Sequence, residues 1–310
     1  MSIHDDVRRW RDPDHWRSLT ALSLTAEGQS GPVQLAAGAG DKTLADLKTE
    51  GWFQLPRPYG DDAVERLKQG ILDLHKARLP PIFVWVYDEA WALFHRLDPV
   101  WRVAMGPDYR VLPCFWAWYV PTGAKHSGWP VHRDRTRGPL NVHDDGRPMT
   151  LSVWIALSRA TPHNGCMYVV PAPYAPDHSS GIKLQDVRAL PAEPGEVLGW
   201  RQDLFHWGGR SSADAPEPRI ALGMELQGWT GLTFDRPLLM PGQVPDLDTR
   251  LALIGGNLWR YRGRVKNKLI PPLAKALIAL RPELDQSALD KPLPRPKKFE
   301  VGRPEGAPRR

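Results

Sequence analysis

The residues with the clearest chemical potential are a His-x-Asp motif, His132-Arg133-Asp134, and two later residues, His206 and Arg219. Two imidazoles and one carboxylate on one face of an ion leave three positions open, as is typical of non-haem Fe(II) oxygenases. A buried arginine can hold the far carboxylate of a dicarboxylate cosubstrate through two parallel hydrogen bonds. We therefore predict that His132, Asp134 and His206 bind iron and that Arg219 binds the cosubstrate.

His-x-Asp is short enough to arise by chance, and the chain contains three copies. The surrounding sequence must therefore indicate which copy is functional. His4–Asp6 lies close to the N-terminus. His143–Asp145 runs into Asp-Gly-Arg-Pro, which favours a surface turn. His132–Asp134 ends the segment GWPVHRD, a predicted strand, so its two side chains are expected to share one face.

The elements that must position these residues are predicted to be mostly strands. Apolar, β-prone segments alternate with Gly, Pro and Asn turns, and Asn164-Gly165 is predicted to form a hairpin turn. The predicted strands are CFWAWYV (114–120), GWPVHRD (128–134), MTLSVWIALS (149–158), CMYVVPA (166–172), VLGW (197–200) and RIALGMELQG (219–228). An amphipathic helix (63–79) and a helix, glycine stop and strand in LADLKTEGWFQLP precede them. This order favours an antiparallel barrel or jelly roll over a βαβ sheet.

Composition and charge narrow the function classes. The chain has 310 residues and a formal charge of +6, but residues 258–310 hold 14 Lys/Arg and 5 Asp/Glu, a net of +9 that leaves −3 for the rest. A basic body that binds nucleic acid is therefore not expected, and no membrane span is predicted. Two cysteines cannot form a disulfide framework, and the charged N-terminus lacks the apolar core of a signal peptide, so we expect a cytoplasmic protein.

Three regions are predicted. Residues 1–45 are expected to be an irregular N-terminal segment, residues 46–257 a β domain with N-terminal helices, and residues 258–310 a basic, partly disordered C-terminal extension. In this extension, WRYRGRVKNK places a cation at every even position from 260 to 268. As a strand it would present five cations on one face, either solvated or bound to an acidic partner.

The stretch LSVWIALSRATPHNGCMYVVP, with HRD before it and GEVLGWRQDLFHWGGRSSADAPEPRIAL after it, resembles the phytanoyl-CoA dioxygenase family. The resemblance covers roughly residues 45–228 and is strongest over 149–171. It implies a mainly β fold with flanking helices, the double-stranded β-helix or cupin-like jelly roll. It also implies an Fe(II)/2-oxoglutarate-dependent oxygenase that uses O2 on a small-molecule substrate.

The resemblance implies the roles of five residues. The metal triad falls on His132, Asp134 and His206, the 2-oxoglutarate arginine on Arg219, and the tryptophan of the central strand, which lies against the cosubstrate, on Trp154. Because the family's halogenating relatives lack the carboxylate, Asp134 favours hydroxylation.

The chain departs from the family pattern near the second histidine. Where the family often has a hydroxyl residue two positions beyond it, this chain has Gly208, and Ser211 or Ser212 are the candidate substitutes. The departure leaves a second hypothesis open, a jelly-roll ligand-binding protein without redox activity.

Overall fold

The structure, a computed structural model, describes residues 3–24, 32–33, 35–123, 129–138, 141–228, 234–235, 239–263 and 269–284. Its eight strands are β1 Trp52–Leu55, β2 Arg110–Val120, β3 Thr150–Ala156, β4 Met167–Val169, β5 Arg188–Leu190, β6 Val197–Arg201, β7 His206–Gly208 and β8 Arg219–Gln227. They form a five-stranded sheet in the order β1-β6-β3-β8-β2 and a three-stranded sheet in the order β5-β4-β7. Every pairing between these strands is antiparallel, as the sequence predicts.

Eight helices flank the sheets in the described parts of the chain. They are α1 Ile3–Trp10, α2 Pro13–Arg17, α3 Ala39–Thr49, α4 Asp61–Lys76, α5 Asp88–His95, α6 Asp98–Met105, α7 Leu247–Arg260 and α8 Ile270–Ile278. The predicted helix over 63–79 is α4, in which Val64, Leu67, Ile71 and Leu74 repeat at helical spacing and are all buried. The predicted helix, glycine stop and strand are α3, Gly51 and β1.

The five-stranded sheet has two different faces, because side chains alternate along each strand. On β3, Val153 and Ile155 join a large apolar core together with residues from the helices. The intervening Trp154 and Ala156 belong to a second cluster with Met167 and Val169 of the three-stranded sheet. The space between the two sheets is therefore the inside of the jelly roll, and the helices cover the outside.

The N-terminal segment is more regular than predicted, since residues 3–17 contain α1 and α2 rather than loops. Asp12 caps α2 by accepting from the Asp14 N–H. Trp16 is fully buried, its Nε1 donates to the Trp10 carbonyl at 2.6 Å, and its ring stacks on Phe83. Tertiary burial of aromatic rings stabilises these short helices, a contribution that periodicity does not reveal.

Two local predictions about strands are wrong. Asn164-Gly165 lies in a turn, but β3 and β4 belong to different sheets, so this turn is a crossing between sheets and not a hairpin. Residues 129–134 form no strand either. They reach the sheet through one isolated antiparallel bridge, between His132 and His206. Pro130, which lacks an N–H, cannot extend the ladder.

The predicted boundary after residue 257 lies inside helix α7, Leu247–Arg260. This helix ends at Arg260, and residues 261–263 form a turn, so the strand of alternate cations is wrong for this part of it. Its remaining positions, 264–268, and the expected disordered tail lie outside the described residues.

Helix α7 is tied to β2. The Asn257 Nδ2 donates to the Pro113 carbonyl at 3.0 Å, and its Oδ1 accepts from the Phe115 N–H at 3.2 Å. Both partners lie where the register of β2 against β8 shifts, between Val111 and Phe115. The Asn257 amide therefore satisfies backbone groups that the interrupted ladder leaves unpaired.

The helices in the described parts of the chain are short relative to the thickness of a lipid bilayer or carry too many polar residues. None combines the length and the apolar character that a membrane crossing requires.

Candidate active site

The structure brings together His132, Asp134 and His206, which are far apart in the sequence. The two histidines are opposite each other in the isolated bridge, where each backbone N–H donates to the other's carbonyl, at 3.1 and 2.9 Å. Their imidazole centroids are 4.4 Å apart. Asp134 lies two residues beyond His132, and its carboxylate comes to the same place.

The separations between the donor atoms suit a metal ion. Asp134 Oδ1 is 3.3 Å from His132 Nε2, and Asp134 Oδ2 is 3.4 Å from His206 Nε2. All the potential ligand atoms lie within 4.8 Å of one another. Two adjacent ligands of one octahedral ion, each at about 2.1 Å, are roughly 3 Å apart. Only small adjustments would be needed to coordinate a cation.

The hydrogen bonds of both imidazoles leave Nε2 available as a ligand. His132 Nδ1 lies 2.7 Å from the Pro130 carbonyl and His206 Nδ1 lies 3.1 Å from the Leu204 carbonyl. A carbonyl only accepts, so Nδ1 carries the proton and a neutral ring has its lone pair on Nε2. The His132 Nε2 is buried and has no hydrogen-bond partner of acceptable geometry within the described chain. A bound cation would satisfy this atom.

The carboxylate of Asp134 is oriented by Ser152. The Ser152 hydroxyl donates to Asp134 Oδ2 at 2.7 Å and accepts from the Gln202 Nε2 at 3.1 Å. Burial opposes ionisation of Asp134, but His206, His132 and Ser152 outweigh it and hold the pKa of this carboxyl well below its usual range. Burial also lowers the pKa of His206, which favours the neutral imidazole that a metal requires.

Arg219 is fully buried at the start of β8, with 1% of its surface exposed. Its Nη1 lies 3.5 Å from the Met167 sulfur, and its guanidinium carbon is 6.0 Å from the Trp154 ring centroid. Burial lowers the pKa of Arg219 to about 10, so it stays cationic at neutral pH. A buried guanidinium that lines the cavity can bind a carboxylate through two parallel hydrogen bonds.

A cavity of about 600 Å³, a volume that includes its open mouth, connects these groups between the two sheets. Trp154 of β3 and Arg219 of β8 line it together with the three candidate ligands. Trp116 and Trp118 of β2 also line it, as the alternation of that strand suggests. Trp118 is accommodated because Gly223 has no side chain. A Cβ at this position would lie 2.7 Å from the Trp118 ring.

Sequence reasoning missed several residues of this cavity. Ser152 lies two residues before Trp154 on β3, and Glu225 lies six residues after Arg219 on β8. Residues separated by an even number of positions along a strand share one face, so the sequence could have indicated both Ser152 and Glu225. Glu225 is half-buried, accepts from the Gln202 Nε2 at 2.7 Å, and has its pKa raised by burial to about 7. Trp129 and Tyr261 come from a loop and from the end of α7, and no local signal predicts that they meet.

Comparison with known proteins bears on these assignments. Residues 93–220 match the family model described as phytanoyl-CoA dioxygenase (PhyH). The resemblance to the phytanoyl-CoA dioxygenase family is thereby confirmed. A comparison with curated protein sequences finds no match.

Solved structures support the jelly-roll fold. The apo form of the non-heme monooxygenase ThoJ has a TM-score of 0.53 and 15% identity, over 77% of this chain and 100% of that chain. The ThoJ–Ni complex has a TM-score of 0.52 and 18% identity, over 72% of this chain and 98% of that chain. EvdMO1 has a TM-score of 0.50 and 19% identity, over 62% of this chain and 50% of that chain. At these identities the likeness concerns the fold, and the predicted mainly β, jelly-roll class is confirmed.

The departure from the phytanoyl-CoA dioxygenase pattern at Gly208 persists in the structure. Gly208 lines the cavity, whereas Ser211 and Ser212 are not among its lining residues. The Ser212 hydroxyl donates to Asp214, and its carbonyl accepts from the Gly123 N–H at 2.7 Å. Within the described residues, neither serine therefore lines the cavity.

The arginines that flank the metal motif bind protein groups. Arg133 donates to the Asp177 carbonyl at 2.8 Å and lies 3.8 Å from the Phe205 ring centroid. Arg137 donates to the Ala175 carbonyl at 2.8 Å. Arg133 and Arg137 are thus both held by backbone carbonyls of the protein itself.

The competing motif His143–Asp145 is a turn, as predicted. The His143 N–H donates to the Arg147 carbonyl at 2.8 Å, and Asp145 pairs with Arg147. It contributes no residue to the cavity or to the cluster of possible metal ligands in the described chain.

Proposed function

We propose that this protein is an Fe(II)/2-oxoglutarate-dependent dioxygenase that hydroxylates a small-molecule substrate and releases succinate and CO2. The observation that carries the proposal is the convergence of His132, Asp134 and His206 in the cavity that also contains the buried Arg219.

The residues fit a ferrous ion. Two Nε2 lone pairs fixed by backbone carbonyls and one hydrogen-bonded carboxylate form a mixed nitrogen and oxygen donor set, which suits iron. Iron bound by His132, Asp134 and His206 would supply the activation of dioxygen and the oxidation of the substrate. The surrounding side chains bind and position the cosubstrate, the substrate and the metal ligands.

Those side chains have distinct tasks. Arg219 binds the far carboxylate of 2-oxoglutarate, and Trp154 lies against the cosubstrate and excludes water. Met167 forms part of the apolar wall beside the guanidinium. Ser152 keeps the Asp134 carboxylate turned towards the histidines. The apolar surroundings lower the local dielectric constant, so the pairing of Arg219 with its anion is stronger than in water.

Hydroxylation is proposed over halogenation because of Asp134. Its carboxylate occupies the position that halogenating relatives leave open, and Ser152 holds it there. A small-molecule substrate is proposed because the reactive groups line a cavity of small-ligand size between the two sheets. Location in the cytoplasm is proposed from the two cysteines, Cys114 and Cys166, which are both free and buried.

The test combines a spectrum with turnover. Fe(II) and 2-oxoglutarate added without oxygen are expected to give a visible charge-transfer band, and admission of oxygen is expected to give succinate. His132→Ala, Asp134→Ala and His206→Ala should abolish both signals, whereas His143→Ala, in the competing motif, should retain both. A colourless wild-type protein would instead support a jelly-roll binding protein, and full activity in any triad variant would refute the ligand assignment.

A further inference from the structure

The cavity has two chemically different ends, both of which are reached by one face of β8. This face carries every second residue of β8, namely Arg219, Ala221, Gly223 and Glu225. Of these, Arg219, Gly223 and Glu225 line the cavity. Arg219 and Glu225 are six residues apart, which corresponds to roughly 20 Å along a strand. The candidate metal ligands line the same cavity. One end therefore carries a buried cation and the other a carboxylate.

Four aromatic side chains line the same cavity as Glu225. Trp116 is 5.5 Å from Trp129 and 5.1 Å from Tyr261, and Trp129 is 5.1 Å from Tyr261, measured between ring centroids. Trp118 extends the group, 6.0 Å from Trp129. We call Trp116, Trp118, Trp129 and Tyr261 the aromatic cluster. All four are half-buried and line the cavity, so parts of their rings face the space that a ligand would occupy.

Glu225 receives one neutral donor, the Gln202 Nε2 at 2.7 Å. Within the described parts of the chain, no lysine or arginine forms an ion pair with it. The nearby cations Arg135 and Arg260 both pair with Asp235, at 2.8 and 3.0 Å. These three residues line an adjoining depression that Glu225 also borders. Both arginines are thus paired with a carboxylate other than Glu225.

We propose that the aromatic cluster and Glu225 bind a cationic nitrogen of the primary substrate, a protonated amine or a quaternary ammonium group. This inference rests on the proposed function in that the bound molecule would be the one that the site oxidises. The negative faces of indole and phenol rings attract a cation, and a half-buried carboxylate supplies the countercharge. A carboxylate or phosphate substrate would instead meet Glu225 as a like charge.

The expected preference follows from these contacts. Cation–π contacts become stronger when the cation and the rings lose their water. With the charge of Glu225 added, a cation should bind at least roughly tenfold more tightly than a neutral molecule of the same shape.

Choline and its uncharged carbon isostere, 3,3-dimethylbutan-1-ol, test this directly, with 3,3-dimethylbutanoate as the anionic probe. Binding to the full-length protein is measured by titration calorimetry at pH 8, above the pKa of about 7 of Glu225. It is measured first alone and then anaerobically with Fe(II) and 2-oxoglutarate. We expect saturable binding of choline, weaker binding of the neutral isostere and the weakest binding of the anion. Equal affinities, tighter binding of the anion, or no saturable choline binding at millimolar concentrations would overturn the proposal.

Matched variants locate the site. Glu225→Gln, which keeps the shape, should remove most of the preference for choline over its isostere, whereas Glu193→Gln, on the surface beside Arg159, should preserve it. Tyr261→Phe should retain choline affinity and Tyr261→Leu should lose it several-fold, because the ring is what binds. If Glu225→Gln does not fold, the pair of Tyr261 variants decides. Identical choline affinity in Tyr261→Phe and Tyr261→Leu would contradict the assignment.

The two proposals can fail independently. A protein that prefers choline but shows no charge-transfer band with Fe(II) and 2-oxoglutarate would retain the cation site and lose the oxygenase function. A protein with the band but without the preference would retain the function and lose this inference.

Discussion

Replacing Ser152 by alanine removes one hydroxyl group, and we expect it to weaken metal binding without disturbing the ligands themselves. The hydroxyl donates to Asp134 Oδ2 at 2.7 Å and accepts from Gln202 at 3.1 Å. A hydrogen bond to a charged group contributes about 1.5–3 kcal/mol. Loss of a group that orients a ligand typically lowers metal affinity by about 10–100-fold. Since about 1.4 kcal/mol corresponds to a factor of ten, the two ranges agree.

The assay is anaerobic competition for Fe(II) between the protein and a coloured chelator, for wild type and Ser152→Ala. Ser158→Ala is the matched control, because this buried hydroxyl bonds two backbone groups, the Pro218 carbonyl at 2.7 Å and the Ile220 N–H at 2.8 Å. The control should lower the thermal midpoint and leave Fe(II) affinity unchanged. Unaltered Fe(II) affinity in Ser152→Ala, or an equal loss in both variants, would refute the reasoning.

Three further predictions concern the cosubstrate, acid stability and a turn. Arg219→Ala should weaken 2-oxoglutarate binding at least about tenfold in calorimetry, with Arg219→Lys between it and wild type, because lysine keeps the charge without the bidentate geometry; undiminished affinity in Arg219→Ala would contradict its role. Burial lowers the pKa of His95 to about 4, whereas the pKa of histidine in an unfolded chain is about 6.5. As the pH falls, the unfolded state therefore binds the extra proton first. The free energy of unfolding should decrease by up to about 3 kcal/mol between roughly pH 6.5 and 4. His95→Leu should flatten this dependence in urea unfolding at a series of pH values, the surface variant His163→Leu should not, and identical curves for wild type and His95→Leu would exclude the cause. Gly165→Ala should destabilise the fold by at least about 2 kcal/mol, because φ at Gly165 is +88° and the new Cβ would overlap the Gly209 carbonyl. The control is Gly60→Ala, whose Cβ would meet no atom within 4 Å and which should change the free energy of unfolding by less than about 1 kcal/mol. Equal effects of the two substitutions on the free energy of unfolding would contradict this prediction.

The sequence predicted those parts of the molecule that follow a local period. Strands such as β3 and β8 have the alternation or apolar run of buried strands, and α4 has the spacing of an amphipathic helix, so their types were predicted correctly. The convergence of His132 with His206 follows from the family resemblance. The bridge that joins them spans 74 residues, too distant for any local rule.

Other parts depend on contacts that are distant in the sequence. Helices α1 and α2 form where Trp16 packs on Phe83, and the aromatic cluster combines β2, the loop at Trp129 and the end of α7. Glu225 is different, since the strand period placed it on the face of Arg219. It could have been predicted from the sequence with the same rule that placed Trp116 and Trp118.

The amide of Asn257 links the final helices to the wall of the cavity. It braces the irregular stretch of β2 at Pro113 and Phe115, immediately before Trp116, and the same helix delivers Arg260 and then Tyr261 to the cavity and the depression beside it. Shortening the protein by removing α7 would therefore reshape the substrate chamber as well as expose apolar surface. Variation in α7 would be a route by which related proteins could change the shape of this cavity without altering the candidate metal ligands.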